Sequence, residues 1–294
     1  MNNDWVKKEL EDKGYVVIPN VLTPEEVREA KELHDKWRST IPNHDVIHNS
    51  IDPHGIYKFH EAGHQRHAWL IRTNPNVQSI FKYLWDCDKL ISGFDGSCYL
   101  SKDLKKKDNI WTHTDQAPNS EGLKCYQGIV ALTDNKERTL VVYEGTHKVH
   151  KKYFETKGIN SSKNWNLIDH DTLKLLDKTG FKKVLDVKAG SLVLWDSRTF
   201  HQNQYGPIDS SDKEERIVQY VCFLPDNHIK NTNAMKKKRL KYFSDNRTTS
   251  HWPVPISVNG LQPQVYGDSS KLIDYNELIP PDLDDLTDEI MKLL

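Results

Sequence analysis

Two residues with metal-binding side chains, His113 and Asp115, lie two positions apart in the stretch Trp111–Gln116. In an extended segment, side chains at positions i and i+2 project from the same face, so both groups would reach one point in space. Two ligands leave a divalent metal under-coordinated, and we look for a third in Phe200–Asn203, which contains His201, 88 residues after His113. Two histidines and one carboxylate on one face, with the opposite face open, are typical of non-haem Fe(II) oxygenases.

Length, charge and cysteine content limit the class of protein. The 294 residues are enough for a sizeable core, in one large domain or two modest ones. With 41 basic and 42 acidic residues the formal charge is −1, so no net field attracts the chain to nucleic acid or to an anionic membrane. There is no run of 18 apolar residues and no signal pattern at the start, which predicts a cytoplasmic protein without a membrane partner. Four cysteines without CxxC spacing indicate neither a zinc site nor a disulfide scaffold.

The first 40 residues have the pattern helix, strand, helix. Tyr15–Pro19 is a short β-branched run, and Thr23-Pro-Glu-Glu26 combines an N-cap threonine, a proline at the first helical position and a glutamate three residues after the cap. The helix that begins there is predicted to extend to about Trp37, because apolar residues keep a helical period up to that point.

Strand-like runs dominate the middle of the chain. They are separated by turn signals such as Ala189-Gly190, which predicts a hairpin between the strands on either side. Many short strands preceded by helices predict a mainly β fold with flanking helices, in which an antiparallel double sheet of jelly-roll type forms the core. We expect a single domain over residues 1–294, with helical support over about 1–88, the β core over about 89–224 and a C-terminal extension over 225–294. The candidate strands are Leu90–Phe94, Ser97–Leu100, Gly122–Leu132, Thr139–Tyr143, Val184–Val187, Ser191–Trp195 and Ile217–Leu224.

Four other segments have less regular patterns. Residues 41–68 form a histidine-rich stretch whose irregular spacing favours a solvated or substrate-facing loop over a separate metal site. Residues 147–183 are polar and mixed, as in an insertion between strands. The basic run Lys236–Arg239 is interpreted as a solvated helix face and not as a nucleic-acid patch, because the whole chain is close to neutral. Apolar residues at helical spacing after Pro281 predict a C-terminal helix packed on the body. The histidines of the first segment are His44, His48, His54, His60, His64 and His67.

Several motifs in order resemble the phytanoyl-CoA dioxygenase family of Fe(II)/2-oxoglutarate oxygenases over roughly residues 10 to 224. The stretch Glu11–Glu26, EDKGYVVIPNVLTPEE, looks like the start of that family, and Thr139–Lys148, TLVVYEGTHK, is similar to its "L-x-v-x-P-G-S/T-H-K" motif. The Ala189-Gly190 turn, His201 and Arg216 follow in the family's order. This chain departs from the pattern at Glu137-Arg138, at Glu144, and in the slightly long gap from His201 to Arg216.

The resemblance implies a double-stranded β-helix (cupin-like) core, with Fe(II), 2-oxoglutarate and O2 as cofactor and co-substrates. Carried over by position, His113, Asp115 and His201 match the iron ligands, and Arg216 matches the arginine that binds the distal carboxylate of 2-oxoglutarate. Asn203 stands where the family often has a serine that assists this arginine. Gln127 and Thr139 occupy strand positions in the region of the co-substrate pocket. Halogenases of this type replace the carboxylate with a small residue, so Asp115 favours hydroxylation or desaturation.

The expected function is therefore hydroxylation of an unactivated C–H bond of a small-molecule substrate, with formation of succinate and CO2. Two alternatives remain open: a catalytically silent jelly-roll protein that binds a metal or small molecule, and an oxygenase with a macromolecular substrate.

The substrate pocket is expected to be enclosed by residues 41–75, by residues 147–183 and by the loop around His251-Trp252. Trp111 and Trp195 are expected to pack against the metal-binding strands, and His147 and His150 to be structural. Arg72, Arg198 and Arg247 are each explained equally well by an anionic substrate and by a structural ion pair.

Overall fold

The computed structural model describes residues 3–41, 53–209 and 214–294. His44 and His48 of the histidine-rich stretch lie outside these ranges. Within them, every helix is too short or too polar to cross a lipid bilayer. The α-helices are α1 Asp4–Lys13, α2 Pro24–Ser39, α3 Arg66–Thr73, α4 Pro75–Trp85, α5 Thr146–Thr156, α6 His170–Lys178, α7 Asn233–Ser244 and α8 Thr287–Met291. Short 3-10 turns occur at Pro53–Gly55, Ala62–His64, Ser269–Lys271 and Asp284–Leu286.

The strands form two antiparallel sheets. They are β1 Tyr15–Ile18, β2 Ile56–Tyr57, β3 Leu90–Ser92, β4 Ser97–Leu100, β5 His113–Thr114, β6 Tyr126–Ala131, β7 Leu140–Tyr143, β8 Asn166–Leu167, β9 Lys182–Val184, β10 Leu192–Asp196, β11 His201–Asn203 and β12 Arg216–Pro225. The larger sheet has the order β1-β10-β6-β12-β4-β2, with β3 also paired to β12, and the smaller has the order β8-β5-β11-β7-β9. Two such sheets with flanking helices confirm the predicted mainly β, jelly-roll fold.

Successive residues of the central strands belong alternately to two apolar clusters, so the larger sheet lies between two apolar layers. On β10, Leu192 and Leu194 belong to the cluster shared with the helices, whereas Val193 and Trp195 belong to the cluster between the sheets. Successive side chains of a strand point to opposite faces, so both faces of β10 are covered. A strand buried on both faces is a near-continuous apolar run, which is why these segments were recognisable in the sequence.

Local signals at the N-terminus predicted its structure. Thr23 Oγ1 accepts from the Glu26 N–H and Glu26 Oε2 accepts from the Thr23 N–H, which forms the expected capping box at the start of α2. The predicted C-terminal helix exists as α8, although it begins only at Thr287. Ile290 and Leu293 of this end are buried in the main core.

Three predictions were wrong. The Ala189-Gly190 turn does not form a hairpin, because β9 pairs with β7 in the smaller sheet and β10 pairs in the larger sheet. The basic run lies on α7, but Arg239 is fully buried and donates to the carbonyl oxygen of Leu294, so the run is not a wholly solvated face. The histidine-rich stretch is not a solvated loop throughout, since His60, His64 and His67 are buried and α3 begins at Arg66.

Candidate metal centre and active site

Strands β5 and β11 of the smaller sheet hold the candidate metal ligands. His113 on β5 and His201 on β11 are directly paired across the antiparallel ladder. Directly opposed residues of such a pair have neighbouring side chains on the same face. Asp115 lies just beyond β5, where its N–H donates to the carbonyl oxygen of Ser197 at 3.2 Å. The three side chains therefore converge although their positions in the sequence are far apart.

The two imidazoles have fixed orientations. His113 Nδ1 lies 3.0 Å from the Trp111 carbonyl oxygen, and His201 Nδ1 lies 2.9 Å from the Thr199 carbonyl oxygen. A carbonyl oxygen only accepts, so Nδ1 carries the proton and Nε2 of the neutral ring keeps its lone pair. Both Nε2 atoms face Asp115 Oδ2, at 3.5 Å from His113 and 3.3 Å from His201. Two such nitrogen donors and one carboxylate oxygen suit a divalent first-row metal.

Within the described residues, these three are the one group of at least three His, Cys, Asp or Glu whose donor atoms could hold a metal, and the atoms lie within 4.8 Å of one another. Gln127 on β6 donates through Nε2 to Asp115 Oδ2 at 3.0 Å. Burial by itself raises the pKa of Asp115, but the contacts with His113 and His201 hold this pKa well below its usual range. Burial, followed by the charge of His113, lowers the pKa of His201. These effects favour an ionised Asp115 and a neutral His201, and a carboxylate and a neutral imidazole are the forms that bind a metal.

Arg216 is the first residue of β12 and is fully buried. Its Nη1 lies 3.7 Å from Cys98 Sγ, while its Nε and Nη2 are buried with no hydrogen-bond partner. Buried guanidinium N–H groups without acceptors are rare in folded proteins and point to an acceptor that is bound from outside the chain. A carboxylate, which can accept two parallel N–H bonds, fits this requirement. The site thus has donors suited to both a metal and a dicarboxylate.

The remaining predicted co-substrate residues lie around these groups. Asn203 lines the same cavity as the triad and donates through Nδ2 to the Tyr220 hydroxyl at 3.0 Å. Gln127 also lines the cavity. Thr139 is buried and does not line it, although the next residue, Leu140, does. The structure therefore brings Asn203 and Gln127 to the triad and leaves Thr139 behind the cavity wall.

The triad opens into a cavity of about 410 Å³. Trp111 and Trp195 form part of its wall, with ring centroids 4.9 Å from His113 and 5.2 Å from His201 respectively, so both pack against the triad as expected. Two further tryptophans also line the cavity: Trp165, directly before β8, and Trp252, in the C-terminal extension. The wall combines aromatic and aliphatic side chains with many polar ones, so it could contact both apolar and polar parts of a ligand. The polar residues of the wall beyond those already named are Lys58, Asp95, Asn164, Ser250, His251, Ser257 and Asn259.

Three other arginines for which a substrate contact was left open, Arg72, Arg198 and Arg247, have hydrogen-bond or ion-pair partners within the protein. Arg72 donates to the carbonyl oxygens of Gly63 and Asp95, and Arg198 pairs with the carboxylate of Asp196. Arg247 donates to the Asn259 carbonyl oxygen. Each of the three guanidinium groups therefore has a structural acceptor within the protein.

His147 and His150 also have structural partners. His147 Nε2 lies 3.0 Å from the Glu11 carbonyl oxygen, and His150 Nε2 lies 3.1 Å from that of Gln116. Both contacts join α5 to segments that precede it by more than thirty residues in the chain.

Tyr220 and His251 were not identified as site residues from the sequence. Tyr220 lies four residues after Arg216 on the same strand, and the period of two along a strand would have placed both on one face. His251 had been placed only as part of a loop. Its Nε2 is buried without a hydrogen-bond partner. Burial lowers the pKa of His251, but a hydrogen bond with Cys125 and the negative charge of Asp115 outweigh this effect and raise the pKa to about 9.

Comparisons with known proteins agree with this geometry. The model of the phytanoyl-CoA dioxygenase (PhyH) family matches residues 10–204. Ava biosynthesis cluster protein O of Aspergillus versicolor is 26% identical over 246 residues, which cover 76% of this chain and 77% of that protein. HygX from Streptomyces hygroscopicus, solved with nickel and 2-oxoglutarate bound, has a TM-score of 0.52 at 12% identity, with 76% of this chain and 87% of that chain covered. EctD from S. alaskensis, solved with 2-oxoglutarate and 5-hydroxyectoine, has a TM-score of 0.51 at 15% identity, with 74% of each chain covered.

Proposed function

The chain belongs to the phytanoyl-CoA dioxygenase family of Fe(II)- and 2-oxoglutarate-dependent oxygenases, and from this premise we propose that it hydroxylates an unactivated C–H bond of a small molecule. Succinate and CO2 would be the co-products. The observation that carries the proposal is the convergence of His113 Nε2, His201 Nε2 and Asp115 Oδ2 at the floor of a cavity. We further propose that residues 1–294 act as a single domain.

In this proposal His113, Asp115 and His201 hold Fe(II). When bound, iron and 2-oxoglutarate together activate O2 for attack on a C–H bond. The carbonyl oxygens of Trp111 and Thr199 keep both Nε2 lone pairs available, and Gln127 fixes the rotation of the Asp115 carboxylate. Such outer contacts orient metal ligands and raise metal affinity.

Arg216 is proposed to bind the distal carboxylate of 2-oxoglutarate through its unpartnered Nε and Nη2. Asn203, tied to the Tyr220 hydroxyl, would hold one side of the co-substrate pocket. Gln127 would contact the co-substrate from the cavity wall. Thr139 would act indirectly, by fixing the backbone just before Leu140 at the start of β7. Because Arg216 is fully buried, its pairing with a carboxylate would be shielded from water and therefore strong.

A small-molecule substrate is supported by the size of the cavity. Its volume of about 410 Å³ lies within the range of small-molecule pockets, roughly 300–1,000 Å³. The tryptophans of the wall would exclude water from the reacting atoms. The name of the Aspergillus relative refers to a biosynthesis cluster, which also favours a small molecule. The carboxylate of Asp115 favours hydroxylation over halogenation, since no halide needs to complete the ligand set.

The test measures iron binding and succinate formation in the same preparations. Wild-type protein supplied with Fe(II), 2-oxoglutarate and ascorbate is expected to release succinate, slowly even without its substrate. His113→Ala and Asp115→Ala should lose both Fe(II) affinity and succinate release, because each removes a ligand. His150→Ala is the matched control, since His150 is also buried but bonds a backbone carbonyl, and it should retain both.

Unchanged Fe(II) affinity in both ligand variants would rule out the triad. Iron binding without succinate release in the presence of a broad panel of small molecules would instead favour a silent metal-binding protein.

A further inference from the structure

The two strands that carry the histidine ligands are paired with each other at a single position. In the described residues His113 of β5 lies opposite His201 of β11, whereas β11 and β7 are paired at three positions. Hydrogen bonds between antiparallel strands recur along the paired length, so a pair with one position has few of them to fix its spacing. Other contacts must therefore hold the two imidazoles at the distance that a shared metal requires.

Gln202, the residue after His201, makes such contacts from the opposite face of the sheet. Successive side chains of a strand point to opposite faces, so Gln202 points away from the cavity that His201 lines and lines a second cavity of about 160 Å³. Its Oε1 accepts from the Trp111 N–H at 3.2 Å and from the Thr112 hydroxyl at 2.6 Å, and its Nε2 donates to the Asn109 carbonyl oxygen at 3.4 Å. One side chain of β11 thus bonds the segment that leads into β5.

Two of these bonds lie on either side of the carbonyl group that orients an iron ligand. The Trp111 carbonyl oxygen accepts from His113 Nδ1 at 3.0 Å. Gln202 holds the N–H of Trp111 and the hydroxyl of the next residue, Thr112, so the peptide unit between them cannot turn without breaking one of the two bonds. The direction of the His113 ring is therefore tied to Gln202 and, through the backbone of β11, to His201.

The chain on the other side of His113 is anchored by a backbone group. The carbonyl oxygen of Ser197 accepts from the Asp115 N–H at 3.2 Å and from the Thr114 hydroxyl at 3.0 Å. The ligand strand is thus held after His113 by a backbone carbonyl and before it by the amide of Gln202. The amide is the part of this arrangement that a substitution can remove.

Burial makes the Gln202 bonds hard to replace. Gln202 is 8% exposed and Thr112 is fully buried, so a lost bond would leave buried polar groups unpaired unless the strand shifts to satisfy them. We propose that Gln202 is a positioning residue for the iron centre, whose amide sets the spacing and orientation of the two imidazoles from the face of the sheet that the metal does not touch. The inference rests on the proposed function, because it assumes iron at the triad, and it places control of the metal geometry outside the cavity.

The test uses Co(II) as the probe, since the visible absorption of this divalent first-row metal depends on the number and geometry of its ligands. Its binding needs no turnover. Gln202→Leu keeps a side chain of similar size and removes all three hydrogen bonds. The Kd for Co(II) should rise roughly 10-fold to 100-fold, as for other outer contacts of metal ligands, and the absorption spectrum should change.

Gln202→Glu is the variant that separates hydrogen bonding from packing. Its carboxylate can still accept from the Trp111 N–H and the Thr112 hydroxyl, and it loses only the donation to Asn109, the longest of the three contacts. The Kd and the spectrum should therefore return close to the wild-type values.

Gln204→Leu is the matched control. Gln204 lines the same second cavity, but its Nε2 donates to the Glu137 carbonyl oxygen at 2.7 Å, away from the ligand strand. This variant should bind Co(II) as wild type does. Far-UV circular dichroism verifies that each variant is folded. If Gln202→Leu does not fold, Thr112→Val, which removes only the 2.6 Å bond, is measured instead and should weaken Co(II) binding in the same direction.

A wild-type Kd and spectrum in Gln202→Leu, or in Thr112→Val where that variant replaces it, would overturn the positioning role and leave the oxygenase assignment intact. An equal loss of affinity in Gln202→Leu and Gln202→Glu would also overturn it, because packing and not the acceptor would then be responsible. Failure of the wild-type protein to bind Co(II) at the triad would overturn both the positioning role and the proposed iron site.

Discussion

Arg216 allows co-substrate binding to be tested before any substrate is known. Two of its three guanidinium nitrogens are buried without an acceptor, and the third lies 3.7 Å from the Cys98 sulfur. A carboxylate that accepts from them would satisfy a buried cation. Removal of one partner from a buried, hydrogen-bonded charge pair costs about 2–5 kcal/mol, which corresponds to a roughly 30-fold to 5,000-fold higher Kd. We therefore expect the Kd of Arg216→Met for 2-oxoglutarate to exceed that of wild type by a factor in this range.

The assay is calorimetric titration of 2-oxoglutarate into protein loaded with Ni(II), so that turnover does not intervene. Thermal unfolding gives a second measurement, because a ligand at a hundredfold excess over its Kd stabilises the folded protein by about 2.7 kcal/mol. Wild type should gain this stability and Arg216→Met should not. Without 2-oxoglutarate, the variant should be at least as stable as wild type, since a buried cation with unpaired N–H groups has been removed.

Arg239 provides the matched control, because it is equally buried but two of its three guanidinium nitrogens donate to acceptors within the fold. Its Nη1 donates to the Leu294 carbonyl oxygen at 2.5 Å and its Nη2 to Asn231 Oδ1 at 2.8 Å. Arg239→Met should lower the free energy of unfolding by about 1–3 kcal/mol, because it leaves buried acceptors unsatisfied, and should not change the Kd for 2-oxoglutarate. A wild-type Kd in Arg216→Met would refute the assignment of this arginine.

Three shorter predictions concern the metal, pH and packing. Gln127→Leu removes the N–H that donates to Asp115 and should lower Fe(II) affinity roughly 10-fold to 100-fold in chelator competition. Burial lowers the pKa of His60 from 6.5 to about 4, so the unfolded chain binds a proton at this residue first as pH falls below 6.5. His60 alone therefore contributes a loss of about 1.4 kcal/mol in the free energy of unfolding per pH unit in that window, and His60→Asn should reduce the measured slope by about this amount in urea denaturation. Gly96→Ala would bring a Cβ within 1.8 Å of the Tyr57 carbonyl oxygen and should lower the free energy of unfolding by about 1–3 kcal/mol or more. Gly260→Ala is the control: its Cβ would lie 3.6 Å from the nearest atom, so the free energy of unfolding should hardly change.

Elements specified by neighbouring residues were predictable from the sequence. The capping box of α2 depends on Thr23 and Glu26, which are three residues apart, and its geometry follows from that spacing. Pairing between distant strands is different, because the sequence around a turn does not state which partners the strands will have. The turn at Gly190 shows this: its carbonyl oxygen accepts from the N–H groups of Val21 and Leu22, so the turn is anchored to the segment after β1 and leads from one sheet to the other.

Helices α3, α5 and α6 were missed, and for α3 and α5 the reason is related. Sequence periodicity assumes that polar residues face solvent, but α3 buries His67 and Arg72 together with Trp69. Arg72 donates to the carbonyl oxygen of Gly63, in the turn before α3, and to that of Asp95, between β3 and β4. Buried polar residues whose partners are non-local remove the amphipathic signal on which a helix prediction depends.

The C-terminal extension limits what family motifs can say about the substrate. The family match ends at residue 204, yet Ser250, His251 and Trp252 line the cavity. Their position follows from two tertiary hydrogen bonds at Thr249: its N–H donates to the Phe94 carbonyl oxygen at 2.9 Å, and its Oγ1 accepts from the Phe94 N–H at 2.8 Å. These bonds attach the extension to the connection between β3 and β4, beside the triad. Because the proposed iron ligands come from the family core and this wall does not, chains that share the core motifs can differ in the residues that we propose meet the substrate.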